Sequence, residues 1–332
     1  MTAGSAALTE AVTPDELEAR LRSIGEHRYH DHHPFNQRMH DGELTRDEIR
    51  VWARNRYYYQ TRIPLKDSLI VAKAPDAAFR REWLQRIQDH DGAREGEGGL
   101  ALWLQLAEAV GLDAASVERL EGILPGVRAA CDAYVELVQT SDLLTSVAAS
   151  LTELFAGNIM RTRIEAFEKH YPWVDTSGLA YFRTRTTQAP RDAAWGLDFV
   201  RRCATSVEDQ RRCLGALERK CEILWSLLDA VERACRRPTL VAHAIVRFDA
   251  AEGAWLVVLP ERALKLGGSG HTILGRCDGT RSGIQVMAEL RQIASDAGGE
   301  ASAAGEEVEG EVDRFLCAME QAGAVRFEPA SQ

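Results

Sequence analysis

Apolar residues recur at three- and four-residue intervals through most of the first 235 positions, and no alternating pattern appears before residue 238. Thr13-Pro14-Asp15-Glu16 supplies a helix start, with Thr as cap, Pro at the first helical position and Glu three residues after the cap. That helix is expected to end near Gly25. The stretch 27–34 is expected to be irregular, because Pro34 disfavours helix immediately before it. Thr45-Arg-Asp-Glu48 is a second capping box and opens a helix through Trp52 and Tyr57-Tyr-Tyr-Gln60. Three consecutive tyrosines cannot share one helix face, so some belong to a core and some to a cavity. Pro64 is expected to begin a new segment with Lys66 in its first turn, and Pro75-Asp76 another that closes at Gly92. Further helical periods cover 98–110, 126–140, 142–169, 191–203 and 207–235. Together they predict a bundle of about seven or more helices, long enough to enclose a pocket.

The pattern changes after Arg236-Arg-Pro238. Positions 241–248 and 255–259 read as strands joined by the turn Asp249-Ala-Ala-Glu-Gly253. Helical periods follow at 268–276 and 282–294. A Gly/Ala/Glu-rich loop, a last helix over 308–321 and a short strand at 325–327 complete the chain. A hairpin with three helices suggests a small winged-helix-like α+β domain. The expected organisation is a disordered tail over 1–13, a helical domain over 14–235 and the small domain over 238–330. Winged helices often meet DNA, but residues 238–332 carry 14 acidic and 8 basic side chains, and DNA binding needs the opposite balance. An exposed sheet edge that recruits a peptide by strand addition fits better.

Composition narrows the picture further. At 332 residues, 45% hydrophobic and 27% charged, the chain suits two globular domains. A net charge of -10 argues against non-specific nucleic-acid binding. The first 13 residues lack the basic cluster and apolar core of a signal peptide, and no apolar run approaches the length of a membrane span. Seven cysteines without a CxxC pair fit free thiols in a reducing cytoplasm, the expected location. Four histidines between 27 and 33 invite a metal reading. No Glu-x-x-His occurs anywhere, and metal ranks behind polar-pocket or structural roles.

The candidate chemistry lies in the helical part. In Leu151-Thr-Glu-Leu-Phe-Ala-Gly-Asn-Ile-Met-Arg-Thr-Arg163, residues Glu153, Met160 and Arg163 form one stripe of a helix. Such a stripe is either a pocket lining or a buried structural ion pair. Arg56 and Gln60 share a face, as do Arg86 and His90, where the histidine is equally read as a dipole contact at a helix C-terminus. Lys220 sits among Leu217, Ile223, Leu224 and Leu227, an unusual place for a cation without an anionic partner. Tyr29, His30, Lys66, Tyr134, Tyr181 and Arg185 complete the set. These six cations with histidines and tyrosines, if convergent, suit a small polycarboxylate, since Arg holds a carboxylate through two hydrogen bonds. No phosphate loop or nucleophile elbow is present.

Eight motifs in order carry a resemblance: His30-Asp-His-His-Pro34, Asn55-Arg-Tyr-Tyr-Tyr-Gln60, Ile63-Pro-Leu-Lys-Asp67, Arg86-Ile-Gln-Asp-His-Asp-Gly92, Leu151-Thr-Glu-Leu-Phe155, His170-Tyr-Pro-Trp173, Tyr181-Phe-Arg-Thr-Arg185 and Leu224-Trp-Ser226. Residues 14–233 thereby resemble the pyrroloquinoline-quinone synthases, PqqC. Leu259-Pro-Glu-Arg262, Ile273-Leu-Gly and Cys277-Asp-Gly-Thr280 are similar to PqqD, the precursor-peptide-binding module of the same pathway. The resemblance implies a PqqC–PqqD fusion whose catalytic part is a heme-oxygenase-like seven-helix bundle, dimeric, and without cofactor or metal. It implies a final ring closure and eight-electron oxidation of a tricyclic precursor, with molecular oxygen as acceptor and hydrogen peroxide as product. It implies catalytic roles for His90, Tyr181 and Arg185. Carboxylates and quinone oxygens would be held by Arg56, Lys66, Arg86, Arg163 and Lys220, with Tyr29, His30, Gln60, Tyr134 and Glu153. The small domain is expected to bind the precursor peptide and the pathway's radical enzyme.

One position departs from the family pattern Ala-Pro-x-Ile-His-x-x-Arg. Here it reads Ala156-Gly-Asn-Ile-Met160-Arg-Thr-Arg163, so Met160 stands where the family has a histidine, and it can neither donate a proton nor carry charge. Two other readings follow: a heme or di-iron oxygenase of the same fold with His27 or His30 as ligand, and a non-catalytic scaffold that holds product or peptide.

Overall fold

The computed structural model describes residues 8–296 and 303–329. The chain divides into two compact units, one of residues up to Ile123 with Val127–Leu228, the other of Leu124–Gly126 with the residues from Asp229 onward.

Among the described residues, eleven α-helices precede the first strand. Thr13 Oγ1 accepts from Glu16 N and Pro14 opens α1 (Pro14–Arg28), as the sequence requires. The stretch after it is more ordered than expected: a single 3₁₀ turn at His30–His32, then α2 (Pro34–Asp41), with Pro34 in its first turn and Gly42 ending it at φ 80°. Pro34 therefore starts a helix, the one place where its missing N–H costs nothing. The tail also differs from expectation. Leu8 is buried, and Gln210 exchanges hydrogen bonds with both backbone groups of Val12, at 2.8 and 2.9 Å. Residues 8–13 are thus docked, and 1–7 lie outside the described residues.

The Thr45 capping box forms in full and opens α3 (Arg46–Lys73). This helix runs straight through Pro64, so the expected break is absent and Lys66 lies mid-helix. Burial explains the difference. Trp52, Tyr57, Tyr58, Tyr59 and Ile63 are all enclosed, and packing on every side of a 28-residue helix outweighs one lost backbone bond. Helix α4 (Ala77–Asp91) ends at Gly92 as expected. Then come α5 (Gly98–Ala109), the short α6 (Ala114–Glu118), α7 (Pro125–Thr140) and α8 (Leu143–Ala149). One 3₁₀ turn, Ser150–Thr152, joins α8 to α9 (Glu153–His170). Helix α10 (Ala180–Cys203) starts a full three turns before its predicted start and takes in Tyr181, Arg185 and Pro190. Helix α11 (Val207–Cys235) follows.

The segment Leu143–His170 is long and apolar enough, by length and composition alone, to cross a membrane, contrary to the sequence expectation. Its apolar side is committed elsewhere: Val147, Leu151, Ile159 and Phe167 are buried in the protein, and Glu153 and Arg163 lie on the same segment.

In the second unit, β1 (Arg237–Leu240) pairs antiparallel with β5 (Val325–Glu328). A separate antiparallel sheet has the order β2 (Ile245–Asp249), β3 (Ala254–Leu259), β4 (Arg262–Lys265). The hairpin is in the expected place, but the run 241–248 is split. A turn with Ala244 N on Val241 O separates β1 from β2, which belong to different sheets. Helices α12 (Gly270–Leu274), α13 (Gly283–Asp296) and α14 (Ala303–Gln321) complete a small α+β fold. Part of the expected Gly/Ala/Glu-rich loop is thus helix from Ala303, and residues 297–302 lie outside the described residues.

Candidate active site

Most of the predicted site residues are buried in the helical unit and fall into two linked groups. The first is an ionic lattice. Asp67 on α3 accepts from Lys66 Nζ at 2.6 Å and from the Trp83 indole N–H at 2.8 Å. Arg86 on α4 reaches Asp67 at 3.6 Å, Glu153 at 3.6 Å and Asp192 at 3.4 Å. Arg185 on α10 donates to Glu153 at 2.5 Å and lies 3.5 Å from Asp192. Burial opposes ionisation of Glu153, but Arg185, Arg86 and Lys66 outweigh it and hold the carboxyl down at about 2. Asp67, Glu153 and Asp192 thus face Lys66, Arg86 and Arg185, and Asp192 also accepts from the exposed Arg191 at 2.7 Å.

The second group has cations and no carboxylate within ion-pair reach among the described residues. Lys220 Nζ donates to Tyr59 Oη at 3.0 Å and stands 3.4 Å from the centre of the Tyr134 ring. Arg56 lies over the Tyr59 ring at 3.9 Å and its Nη1 has no hydrogen-bond partner. Arg163 donates to Asn36 Oδ1 at 3.1 Å, covers the Trp52 ring at 5.0 Å, and leaves Nε unsatisfied. Burial, then the Arg56 charge, pushes Lys220 well below the usual lysine range and Arg163 down to about 9. Buried charges are ordinarily paired. Three left unpaired around aromatic rings form a receptor for an anion with several negative groups.

The two histidines differ in tautomer. His90 Nδ1 donates to Arg86 O at 3.0 Å, so the buried Nε2, which has no partner, carries a lone pair. Burial, then Arg185, lowers His90 to about 4, and the ring is neutral at neutral pH. His90 thus presents a free acceptor at Nε2, while its Nδ1 contact is local to the last turns of α4 and is made by a neutral ring. At His30 the roles reverse. The Asn36 amide, oriented by Arg163, donates to His30 Nδ1 at 2.9 Å, so the unpartnered Nε2 carries the proton. Burial with Arg56, Arg163 and Lys220 holds His30 well below 6.5. One imidazole offers an acceptor and the other a donor.

The remaining candidates take their places around these groups. Tyr181 Oη donates to Gln60 Oε1 at 2.8 Å, and burial raises its pKa. Tyr134 Oη lies 3.4 Å from Ser150 Oγ, which also accepts from Lys66 at 3.0 Å. Tyr29 packs edge-on against His30 and tilts on Phe155. Glu153 and Arg163 do not pair with one another, so of the two readings of their stripe the Glu153–Arg163 ion pair is not the one observed. Met160 is buried on the same helix.

The four histidines of 27–33 take separate local roles. His27 bonds Ser23 O, His33 Nδ1 accepts from Phe35 N at the start of α2, and His32 is exposed beside Asp31. No group of three His, Cys, Asp or Glu side chains placed to hold a metal occurs among the described residues. Asp67, Asp192, Asn36, Tyr59 and Ser150 belong to the site but were not among the sequence candidates. Asp67 and Tyr59 lay inside quoted motifs; for Asp192, two residues after Pro190, the sequence holds no signal.

The ionic lattice makes Glu153→Gln costly. Two guanidinium groups would lose charge balance in a buried site, and the variant is expected to lose roughly 3 kcal/mol of unfolding free energy by denaturant titration.

The helical unit is a heme-oxygenase-like bundle with a polycationic polar core. Solved structures agree on the fold: a protein with a heme oxygenase-like fold from Shewanella denitrificans OS217 has a TM-score of 0.52 at 14% identity, covering 65% of this chain and 89% of that one. A TenA homologue from P. horikoshii OT3 has a TM-score of 0.53 at 10% identity, covering 66% and 98%. Residues 18–230 match the TENA/THI-4/PQQC family model, and the chain belongs to that family. Two relatives are more specific. The pyrroloquinoline-quinone synthase of Gluconobacter oxydans is 50% identical over 223 residues, 67% of this chain and 93% of that protein. The bifunctional coenzyme PQQ synthesis protein C/D of Methylorubrum extorquens is 49% identical over 227 residues, 68% of this chain and 61% of that protein.

Proposed function

We propose that the helical unit is a pyrroloquinoline-quinone synthase and that the second unit binds the precursor peptide of the same pathway. The observation that carries the first part is the set of three buried cations without carboxylate partners, Arg56, Arg163 and Lys220, together with a neutral His90, near Arg185 and Glu153 of the ionic lattice, whose Nε2 is free. A tricyclic precursor bearing several carboxylates supplies the missing anions. His90 then accepts protons as the second ring closes and the ring system is oxidised, while Tyr181 and Arg185 attend the oxygen side. An electron-rich quinol passes its electrons to molecular oxygen and peroxide leaves, so the polypeptide's work is to stabilise developing anions and move protons. The half-identical synthase of Gluconobacter oxydans supports this substrate class. The bifunctional C/D relative supports a peptide-binding second unit. In that unit the β2–β3–β4 sheet ends in two edge strands, and β2 exposes Ile245 and Phe248, features suited to strand addition. Titration of labelled precursor peptide into the full chain is expected to saturate; no saturable binding removes the second part of the proposal.

Met160 favours a second reading, a degenerate synthase that holds product. Single-turnover mixing with the ring-open precursor separates them. A synthase forms quinone in the wild type, and Met160→His changes only the rate of the late oxidation steps. A scaffold forms none as isolated.

A further inference from the structure

We propose that Asp67 is a positioning residue of this site, holding the Lys66 ammonium charged and aimed at Ser150 while helping to fix the Arg86 side chain between α3 and α9. The inference rests on the synthase reading only for its consequence in binding.

Asp67 has no solvent exposure, and Lys66 is 1% exposed. One carboxylate oxygen, Oδ1, takes three contacts: Lys66 Nζ at 2.6 Å, Trp83 Nε1 at 2.8 Å and Arg86 Nε at 3.6 Å. Adjacent helical residues do not face one another, so the Lys66–Asp67 contact needs the lysine to fold back along α3. Trp83, on α4, clamps the acceptor in place for that geometry. Lys66 then extends to Ser150 Oγ at 3.0 Å, and Ser150 touches Tyr134 Oη. Asp67 therefore joins α3, α4 and the α8–α9 junction through a single oxygen. Arg86, held by the same oxygen, reaches on to Glu153 at 3.6 Å and Asp192 at 3.4 Å.

The charged groups that act on Lys66 are few. Burial disfavours its ammonium, Asp67 favours it most, Arg86 opposes it, and Glu153 favours it. Lys220 adds like-charge repulsion, and the Trp83 and Tyr134 rings face the ammonium at 5.7 and 5.5 Å. Without Asp67 the balance tips toward neutral lysine, and one site cation is lost as pH rises.

The chain has only five lysines, so their ¹³Cε signals in the full-length protein can be followed individually, with Lys66→Arg identifying the Lys66 peak. Asp67→Asn keeps the shape and the acceptor for Trp83 but removes the charge. The Lys66 titration midpoint is expected to fall by at least about one pH unit, a tenfold change in the protonation equilibrium. The alkaline limit of quinone binding, measured by absorbance titration with pyrroloquinoline quinone, moves with it, and in a Lys66→Arg background Asp67→Asn leaves that limit where it was. An unchanged Lys66 midpoint overturns the proposal even where stability drops. A shifted midpoint with no quinone binding in the wild type upholds Asp67 and refutes the synthase reading instead. Should Asp67→Asn fail to fold, Asp67→Ser is measured in its place. If neither folds, Asp67 is a structural residue and the proposal falls.

Discussion

His90→Ala is expected to reduce quinone formation roughly a hundredfold or more, the span associated with one general base, while product affinity changes little. The site geometry gives the reason. His90 is buried, its Nδ1 proton is spent on Arg86 O, and Nε2 has no protein partner. The cations proposed to bind carboxylates are other residues, so removing the imidazole is expected to take away a proton acceptor and leave the anion receptor standing. Burial and Arg185 depress the histidine to about 4, which makes the base competent far below the usual histidine range. Activity limited by this base is therefore retained as pH falls from 7 and is lost only near 4. The stability linkage has the opposite practical effect. Between an unfolded value of 6.5 and a folded value of about 4, the unfolded chain binds a proton that the folded chain does not. This group's share of stability is therefore full above 6.5 and declines as pH falls toward 4. Single-turnover kinetics and equilibrium quinone binding, measured side by side, check the claim. Equal loss in both makes His90 a binding residue.

Lys220→Met is expected to have two effects of opposite sign. Quinone affinity falls at least about tenfold, because one of three unpaired cations is gone. Stability of the unliganded protein rises by about 1 kcal/mol, because an ammonium with no exposure and no carboxylate partner is replaced by an apolar side chain of similar length. For a unit of this size, that is a few degrees in Tm, on the order of 2–4 °C. The gain is partly offset by losing the bond to Tyr59 and the contact with the Tyr134 ring. The pH dependence has a definite sign. Burial and then Arg56 lower Lys220 well below 10.5, so the unfolded chain holds more protons and wild-type stability from this residue improves as pH rises toward 10.5. The Tm gap between variant and wild type is therefore widest at neutral pH and narrows in alkali. Thermal unfolding across pH, with quinone titrations on the same samples, reads both effects. A variant that is less stable at neutral pH contradicts the idea that Lys220 is held in readiness for an anion.

Helical periodicity and caps made most of the bundle legible before any coordinates. The Thr13 and Thr45 starts, the Gly92 stop and the last long helix from Val207 are local features, decided by nearby residues. Proline misled where burial decided. Pro64 read as a boundary, yet it is buried inside α3, and so Lys66 is mid-helix; α10 likewise begins before its expected start and contains Pro190. The site followed the same division. Arg56, Arg86, His90, Arg163, Arg185 and Lys220 were identifiable from helical spacing, from the apolar neighbours of Lys220 and from the family motifs. Which cation meets which carboxylate depends on α3, α4, α9 and α10 coming together, a non-local fact. The neutralising role of Asp192 and the donor role of the Asn36 amide were invisible for that reason. The stripe of Glu153 and Arg163 shows the point most clearly: on one helix they invite pairing, but Glu153 goes to Arg86 and Arg185, and Arg163 to Asn36.

Whether these residues alone drive the oxidation is tested most directly by oxygen uptake. Metal-free, full-length protein is mixed with the ring-open tricyclic precursor under air, and the quinone absorbance, dissolved oxygen and peroxide are followed together. Quinone is expected to appear with matching oxygen consumption and peroxide release. Uptake that begins only after iron or heme is added would contradict a cofactor-independent oxidase built on Arg56, His90, Arg163 and Lys220.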